Sequence, residues 1–262
     1  MDKQITPKMC PVCGVDTNYL YRITEKDDVS GDWYRCACGV IFLPEPDNKI
    51  DYDEKYHSLY TDDKVKKNAI HAARVYAPII EELTYGRMML DVGFASGYNM
   101  DYFENRGWLT WGIDVNVPKE KRPNLYKGDF LTYDFEPRIN KEELEKHVGD
   151  GRLKKRTFDL IWMSHVLEHF DNPIEVLKKA KGLLSDTGVM YISTPDIDFI
   201  NKTGLPSFPH WKCKEHRVLW SSRALKRELE RLGFDVILIR RNFSSRFISW
   251  YDVQCICQKR YF

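Results

Sequence analysis

Short apolar runs alternate with amphipathic stretches over residues 88–262. The runs with the length and composition of buried strands are MMLDVG, TWGIDV, FDLIWMS and GVMYIST. The stretches with apolar residues at helical spacing are NMDYFENRG, DNPIEVLKKAKGLL and SRALKRELERLG, and two more strand-like runs, FDVILIR and YDVQCICQ, close the chain. Strands that alternate with helices predict an α/β fold, in which helices cover both faces of a largely parallel sheet.

The first 86 residues have a different character. Residues 1–50 carry paired cysteines and end near Leu43-Pro44-Glu45-Pro46, which is typical of a turn or linker. Residues 51–86 begin polar and aromatic and become helical in pattern, with Pro78 expected to kink that helix or end its first part. We therefore predict a small module over 1–50, a helical linker or lid segment over 51–86, and a main domain over 87–262.

Composition excludes several classes of protein. The chain has 262 residues, enough for one domain plus a small module. Its 40 basic and 39 acidic side chains argue against a broad polyanion-binding surface, although a local basic patch remains open. The sequence has no run of 18 apolar residues and no apolar signal after Met1-Asp2-Lys3-Gln4, so we expect no membrane span and a cytoplasmic location.

Acidic residues recur at the ends of successive predicted strands. The first strand leads into Gly93-Phe94-Ala95-Ser96-Gly97, where glycine permits both a sharp turn and the close approach of a ligand. Asp114 ends the second strand, where an acid can accept hydrogen bonds from ribose hydroxyls. Asp129 follows the next strand and precedes Phe130, a pair that can meet the amino group and ring face of adenine. Together these positions predict a nucleotide-like cofactor.

The motifs LDVGFASGY, GIDV, GDF, FDLIWMSHVLEHFDNP and LLSDTGVMYISTPD, in this order, resemble class I S-adenosylmethionine-dependent methyltransferases over residues 65–262. The resemblance implies a Rossmann-like sheet and S-adenosylmethionine as cofactor. It implies cofactor-binding roles for Asp91, Gly93, Ala95, Gly97, Asp114, Val115, Asp129, Phe130 and Ser164. Phe94 departs from the glycine-rich form of the loop and is a candidate for narrowing the methionine pocket. A nicotinamide-dependent dehydrogenase is the alternative on fold, but its GxGxxG motif is absent.

Four cysteines form a CxxC…CxC set near the N-terminus, namely Cys10, Cys13, Cys36 and Cys38. Four thiolates suit a tetrahedral structural Zn²⁺, although an iron–sulfur cluster or unrelated cysteines are alternatives. RCACGVIFLPEP and the following YDEKYHSLY resemble the N-terminal zinc segment of bacterial methyltransferases, many of them from sugar or glycan pathways. We expect the other three cysteines, Cys213, Cys255 and Cys257, to be packing residues.

Histidines and an acid gather after the fourth strand. If this stretch is helical, His165, Glu168 and His169 share one face at i, i+3 and i+4. His216 follows later, and in related methyltransferases a histidine at this position lines the acceptor pocket. We predict that His169, His216 and Glu168 are catalytic, because a histidine can take a hydroxyl proton near neutral pH. The alternative is that Glu168 and His169 only hold the loop in place.

A metal-dependent alternative rests on the same residues. An ExxEH motif with a downstream histidine resembles the divalent-metal site of some quinone and small-RNA O-methyltransferases, and here His165 replaces the first glutamate. A second divalent metal is therefore possible at His165, Glu168, His169 and His216, with Mg²⁺ disfavoured by the added imidazole.

The resemblance predicts an O-methyltransferase that acts on a sugar, nucleotide-sugar or glycan hydroxyl. One alternative is N- or C-methylation of a small polar substrate. Another is methylation of a protein or RNA docked by the zinc module, near Lys8, Arg22, Tyr34 and Arg35; the near-neutral charge disfavours nucleic acid. A non-catalytic binding protein is a third alternative, against which the intact strand-end acids argue.

Overall fold

The computed structural model describes residues 7–25, 30–44, 63–117, 124–135, 157–241 and 251–260. Short antiparallel strands make up the N-terminal part: β1 (Lys8–Met9), β2 (Asp16–Thr17), β3 (Tyr19–Thr24), β4 (Ser30–Arg35) and β5 (Val40–Phe42). The strands that follow are β6 (Met88–Val92), β7 (Leu109–Asp114), β8 (Leu125–Lys127), β9 (Phe158–Ser164), β10 (Leu184–Pro195), β11 (Val218–Trp220), β12 (Phe234–Arg241) and β13 (Asp252–Lys259).

A mostly parallel seven-stranded sheet dominates the described residues, with the order β12-β13-β10-β9-β6-β7-β8. Strands β6 to β10 run parallel, whereas β13 lies antiparallel between β10 and β12. Because β13 is reversed, its first residue, Asp252, pairs with Pro195 at the end of β10. The start of β13 therefore lies at the same sheet edge as the carboxyl ends of the parallel strands.

Helices cover both faces of this sheet, as the sequence pattern predicted. They are α1 (Asp63–Leu83), α2 (Tyr98–Glu104), α3 (Pro173–Leu183), α4 (Ile200–Thr203) and α5 (Ser222–Arg231). Tyr76 and Ile80 of α1 belong to the buried cluster on one face, and Leu177 of α3 belongs to the cluster on the other. Helix α1 continues through Pro78 to its last residue, so it does not end at the proline.

The second sheet joins the N-terminal strands to a strand from the second half of the chain, in the order β11-β5-β4-β3. Val218 of β11 pairs with Phe42 of β5, and the backbone N–H of Leu43 donates to the Arg217 carbonyl at 2.9 Å. Trp33, Ile41, Leu43, Phe208 and Leu219 share one buried cluster there. The N-terminal module is therefore completed by residues of the main domain.

Two features of the sequence analysis lie outside the described residues: the boundary between residues 50 and 51, and the run YDEKYHSLY at residues 52–60. Among the helices that are described, none has the length and apolar composition needed to cross a membrane. Cys213, Cys255 and Cys257 are all buried, as expected for packing residues.

Candidate active site and cysteine cluster

A cavity of about 510 Å³ lies at the carboxyl ends of β6, β7 and β9. Open α/β sheets bind ligands at this edge, and the volume falls within the usual range for small-molecule sites. Residues from both predicted halves of the site line it: Gly93, Ala95, Asp114, Val115, Asp129, Phe130 and Ser164 on the cofactor side, and Glu168, His169 and His216 on the acceptor side. Asp91 and Gly97 are not among the lining residues; Asp91 is buried within β6.

The loop after β6 has a backbone that requires glycine at its first position. Gly93 has φ 69°, and a Cβ placed there would lie 2.8 Å from Cγ2 of Val166. Such a side chain would combine a strained left-handed backbone with a steric clash. The sequence-based assignment of a tight, glycine-dependent turn is therefore confirmed.

Phe94 packs against the neighbouring strand. Its side chain is only 5% exposed, and Cδ1 would lie 2.6 Å from a Cβ at Gly112 of β7. Glycine at position 112 is what makes room for the phenylalanine ring. This packing accounts for the departure of the loop from its glycine-rich form, which the sequence alone did not explain.

The strand-end acids shape the cofactor side of the cavity. Asp114 Oδ2 accepts from the backbone N–H of Ala95 at 3.1 Å, and Oδ1 accepts from the N–H of Asn116 at the same distance. The carboxylate therefore ties the glycine loop to the end of β7. Asp129 Oδ1 accepts from the N–H groups of Leu131 and Thr132 at 2.9 and 3.0 Å. Both carboxylates are thus oriented by backbone donors.

The stretch after β9 is not an α-helix, so the prediction that His165, Glu168 and His169 share one helix face is wrong. His165 has φ 55°, and a single 3₁₀ turn covers Leu167–His169. The N–H of His165 donates to the Ser193 carbonyl at 2.8 Å, which keeps the chain against β10 before it turns. The turn nevertheless brings the polar side chains together.

Glu168 is completely buried and faces both histidines of the turn. Its Oε2 accepts from Thr194 Oγ1 at 2.9 Å, and its Oε1 lies 3.4 Å from His165 Nδ1 and 3.9 Å from His169 Nε2. Burial raises the pKa of this carboxyl, but the contact with His165 outweighs burial and holds the pKa well below its usual range. Glu168 is therefore a carboxylate.

His165 turns towards Asp252 at the start of β13. Its Nε2 lies 3.1 Å from Asp252 Oδ2. Burial lowers the pKa of the His165 imidazole, but Asp252 and Glu168 outweigh that effect and raise the pKa to about 10. An imidazolium thus bridges two buried carboxylates.

His169 and His216 approach each other edge to face, with ring centroids 5.0 Å apart. His216 Nδ1 lies 2.8 Å from the His210 carbonyl oxygen, an arrangement in which Nδ1 donates and Nε2 keeps its lone pair. Burial lowers the pKa of His169, and it lowers the pKa of His216 well below the ordinary histidine value. Both rings are therefore neutral near pH 7.

Glu168, His169 and His216 form a convergent set of ligand atoms, all within 4.8 Å of one another. Glu168 Oε1 is buried and makes no hydrogen bond of normal geometry within the described part of the chain. Two neutral imidazoles and a carboxylate oxygen suit Zn²⁺ or another first-row metal better than Mg²⁺. His165 does not belong to this set, so the four-residue version of the predicted metal site is reduced to three.

Sequence reasoning missed Asp252, the residue that holds His165. The run YDVQCICQ was recognised as a strand, but its first acid had no assigned role. The signal would have been the direction of β13, because only a reversed strand starts at the ligand-binding edge. Arg240 at the end of β12 and Tyr76 of α1 were also missed; both line the cavity.

The four predicted cysteine ligands also converge. Cys10 and Cys38 have Sγ atoms 3.7 Å apart, Cys13 and Cys36 have theirs 3.5 Å apart, and all four sulfurs lie within 4.8 Å of one another. A tetrahedral site with Zn–S bonds of about 2.3 Å separates its sulfurs by roughly 3.8 Å. Burial raises the pKa of the Cys36 thiol, but the backbone N–H of Cys38 and the hydroxyl of Thr17 lower it to about 7. The cluster is compatible with zinc.

Comparison with known proteins identifies the fold and then the family. A crystal structure of a Burkholderia thailandensis 1,6-didemethyltoxoflavin-N1-methyltransferase, with bound 1,6-didemethyltoxoflavin and S-adenosylhomocysteine, matches with a TM-score of 0.55. That match covers 87% of this chain and 99% of the other, at 15% identity, and it defines a class I methyltransferase fold. Residues 67–239 match the family model of the methyltransferase domain. Since this is more than half of the chain, the protein belongs to that family.

Curated relatives match more locally. A ubiquinone biosynthesis O-methyltransferase of Histophilus somni is 29% identical over 118 residues, which are 45% of this chain and 46% of the relative. A tRNA U34 carboxymethyltransferase of Aeromonas hydrophila is 30% identical over 164 residues, 61% of this chain and 48% of the relative. The chain thus spans about half the length of the curated relatives it matches.

Proposed function

We propose that the protein is an S-adenosylmethionine-dependent O-methyltransferase. The observation that carries this proposal is that one cavity holds both the strand-end acids and the convergent set Glu168, His169 and His216. A methyl donor and a hydroxyl activated by that set would meet across a single space, as an in-line displacement requires.

The cofactor side has the chemistry for an adenosine. Asp114, held by two backbone N–H groups, is oriented to accept from ribose hydroxyls. Val115 and Phe130 offer apolar surface to the adenine ring, and Asp129 lies beside them. Gly93, Ala95 and Ser164 leave space for the methionine portion at the glycine loop. Asp91 and Gly97 do not line the cavity, so they would support cofactor binding by fixing the shape of the glycine loop.

The acceptor side has the chemistry to activate a hydroxyl. Glu168, His169 and His216 would hold a divalent metal, which lowers the pKa of a bound hydroxyl. His169 is more exposed than His216, with 17% of its side chain exposed, so it would present the metal to the acceptor hydroxyl, and in the metal-free alternative its ring would receive the acceptor proton. His216 and Glu168 are buried and would fix the geometry around it.

A phosphate-bearing acceptor such as a nucleotide sugar fits the charge of the cavity wall. Arg241 is paired with Asp196 at 2.5 Å, whereas the neighbouring Arg240 lines the cavity without an ion pair among the described residues. The Arg240 guanidinium lies beside the Tyr76 hydroxyl, and a guanidinium on a cavity wall is a natural partner for phosphate or carboxylate. N- or C-methylation of a small polar substrate is the second candidate.

The cysteine cluster would hold a structural zinc and complete a module over residues 1–50, with 51–86 as a helical linker or lid segment and 87–262 as the methyltransferase domain. Support comes from the sulfur separations and from α1, whose Tyr76 lines the cavity. Strand β11 would belong to the zinc module in space, although it follows the turn after β9 in sequence.

The test is transfer of a labelled methyl group from S-adenosylmethionine to panels of nucleotide sugars, glycans, quinol precursors, tRNA and protein. On the acceptor so found, His169→Ala and His216→Ala should lower kcat by ~10²-fold or more, because they remove hydroxyl activation. Cofactor affinity, measured by calorimetry, should stay near the wild-type value. Wild-type turnover in both variants would place the proton acceptor elsewhere.

A further inference from the structure

We propose that Asp252 and His165 are positioning residues that hold Glu168 as an oriented metal ligand; this inference rests on the metal site of the proposed function. The three side chains form a line from the start of β13 to the turn after β9. Asp252 Oδ2 lies 3.1 Å from His165 Nε2, and His165 Nδ1 lies 3.4 Å from Glu168 Oε1.

The backbone directs this arrangement. His165 has φ 55°, a conformation that is uncommon for a residue with a side chain and that persists only where its surroundings fix it. The N–H bond to Ser193 and the Asp252 carboxylate both fix it. The residue with this uncommon backbone conformation is therefore the one whose ring contacts both Glu168 and Asp252.

Burial explains why the His165 ring is needed. Glu168 and Asp252 are 0% and 3% exposed, and buried acidic side chains are costly unless they are paired. His165 lies between them and contacts each with a different ring nitrogen. The acid held in this way is the one that converges with His169 and His216 to within 4.8 Å.

The geometry also fixes which oxygen faces the metal. Thr194 Oγ1 donates to Oε2 of Glu168 at 2.9 Å, while His165 lies beside Oε1. A carboxylate oxygen has two lone pairs, so Oε1 can contact His165 and still ligate a metal. Partners that hold a ligand in this way typically contribute ~10–100-fold to metal affinity.

The test measures Co²⁺ affinity of the full chain by visible absorption, in which thiolate charge-transfer bands separate the cysteine site from the nitrogen–oxygen site. Asp252→Asn should weaken Co²⁺ binding at the nitrogen–oxygen site by ~10–100-fold, and Asp252→Glu should recover part of the loss. The matched control is Asp159→Asn, which alters another buried acid of the sheet that accepts from the N–H of Met88. Its Co²⁺ affinity should equal that of the wild type.

Folding is checked by the melting temperature and by S-adenosylmethionine affinity, which should stay unchanged in Asp252→Asn. If that variant does not fold, His165→Asn carries the test, because asparagine tolerates the left-handed backbone. Unchanged Co²⁺ affinity in a folded variant would overturn the inference alone. A wild-type chain without any nitrogen–oxygen Co²⁺ site would overturn the proposed metal site, and the inference with it.

Discussion

The two clusters of convergent ligands differ in number, chemistry and surroundings. Four thiols meet in a small N-terminal sheet, whereas two imidazoles and one carboxylate meet on the wall of a cavity. Structural zinc sites have four protein ligands and are closed, while catalytic metal sites keep a position open. The comparison teaches that the first cluster is suited to holding a fold together and the second to presenting a ligand to a substrate.

The surroundings sharpen this contrast. Cys10 and Cys36 lie on turns that follow strands of two and six residues, so the four sulfurs are held by short loops, although Val40 and Phe42 pack beside them. Glu168 and His216 are packed against the large sheet, whose strands are stabilised by their own buried side chains. Loss of metal should therefore loosen the turns that carry the cysteines and leave the large sheet folded.

The largest expected effect is at the cysteine cluster. Cys36→Ser should release its zinc and loosen the turns that carry the cysteines, because the binding free energy of a structural zinc, ~10–16 kcal/mol in zinc-finger peptides, stabilises the fold of the residues that hold it. Elemental analysis and limited proteolysis measure the two effects. The wild-type protein is purified under reducing conditions without chelator. If it then carries no zinc at the cysteine cluster, this cluster is not a structural zinc site and the contrast with the histidine cluster is lost.

An intermediate effect is expected at the second cluster. Glu168→Gln should remove metal from the histidine site and lower kcat by ~10²-fold or more, since a charged ligand is lost where the hydroxyl is activated. Zinc at the cysteines and the melting temperature should hardly change. Metal content is measured in the wild type, in Cys36→Ser and in Glu168→Gln. We expect two metal ions per wild-type chain. Cys36→Ser should lose only the ion at the cysteines, and Glu168→Gln should lose only the ion at the histidines.

The smallest effect belongs to a residue of neither cluster. Asp114→Ala should weaken S-adenosylmethionine binding by ~1–3 kcal/mol, the scale for losing hydrogen bonds to a charged group, with both metals retained. Calorimetry measures the affinity. The control is Asp235→Ala, because Asp235 is an exposed acid of β12 that pairs with Arg260, outside the cavity. This variant should bind S-adenosylmethionine with the affinity of the wild type. Equal affinity in both variants would remove Asp114 from the ribose role.

That Asp114 and Asp129 lie on one cavity could be predicted from the sequence, because each lies at or just after the end of its own strand. Asp114 ends β7 and Asp129 follows β8, and parallel strands bring their carboxyl ends to one edge of the sheet. Phe94 was the exception: its partner, Gly112, sits on a neighbouring strand, so the pattern around Phe94 alone gave no reason for it.

The acceptor half was readable only in part. His169 and His216 were named from their positions, but their meeting depends on the pairing of β11 with β5, which places the segment before Val218 beside the turn after β9. The N–H of Arg217 donates to the Glu168 carbonyl at 2.7 Å, a contact between distant parts of the chain. The left-handed backbone of His165 and the direction of β13 arise from tertiary structure, and local spacing does not encode them.

The pairing of β11 with β5 also sets an order of events during synthesis. Residues 40–42 of β5 pair with residues 218–220 of β11, which are synthesised much later. A ribosome that adds ~5–20 residues per second needs roughly 10–35 s to reach them. Over that interval the edge of β5 and the apolar side chains of Ile41 and Leu43 are without β11 and Leu219. Early zinc capture by the cysteines would give the nascent segment a fixed shape before its last strand emerges, and so protect an open edge from pairing with other chains.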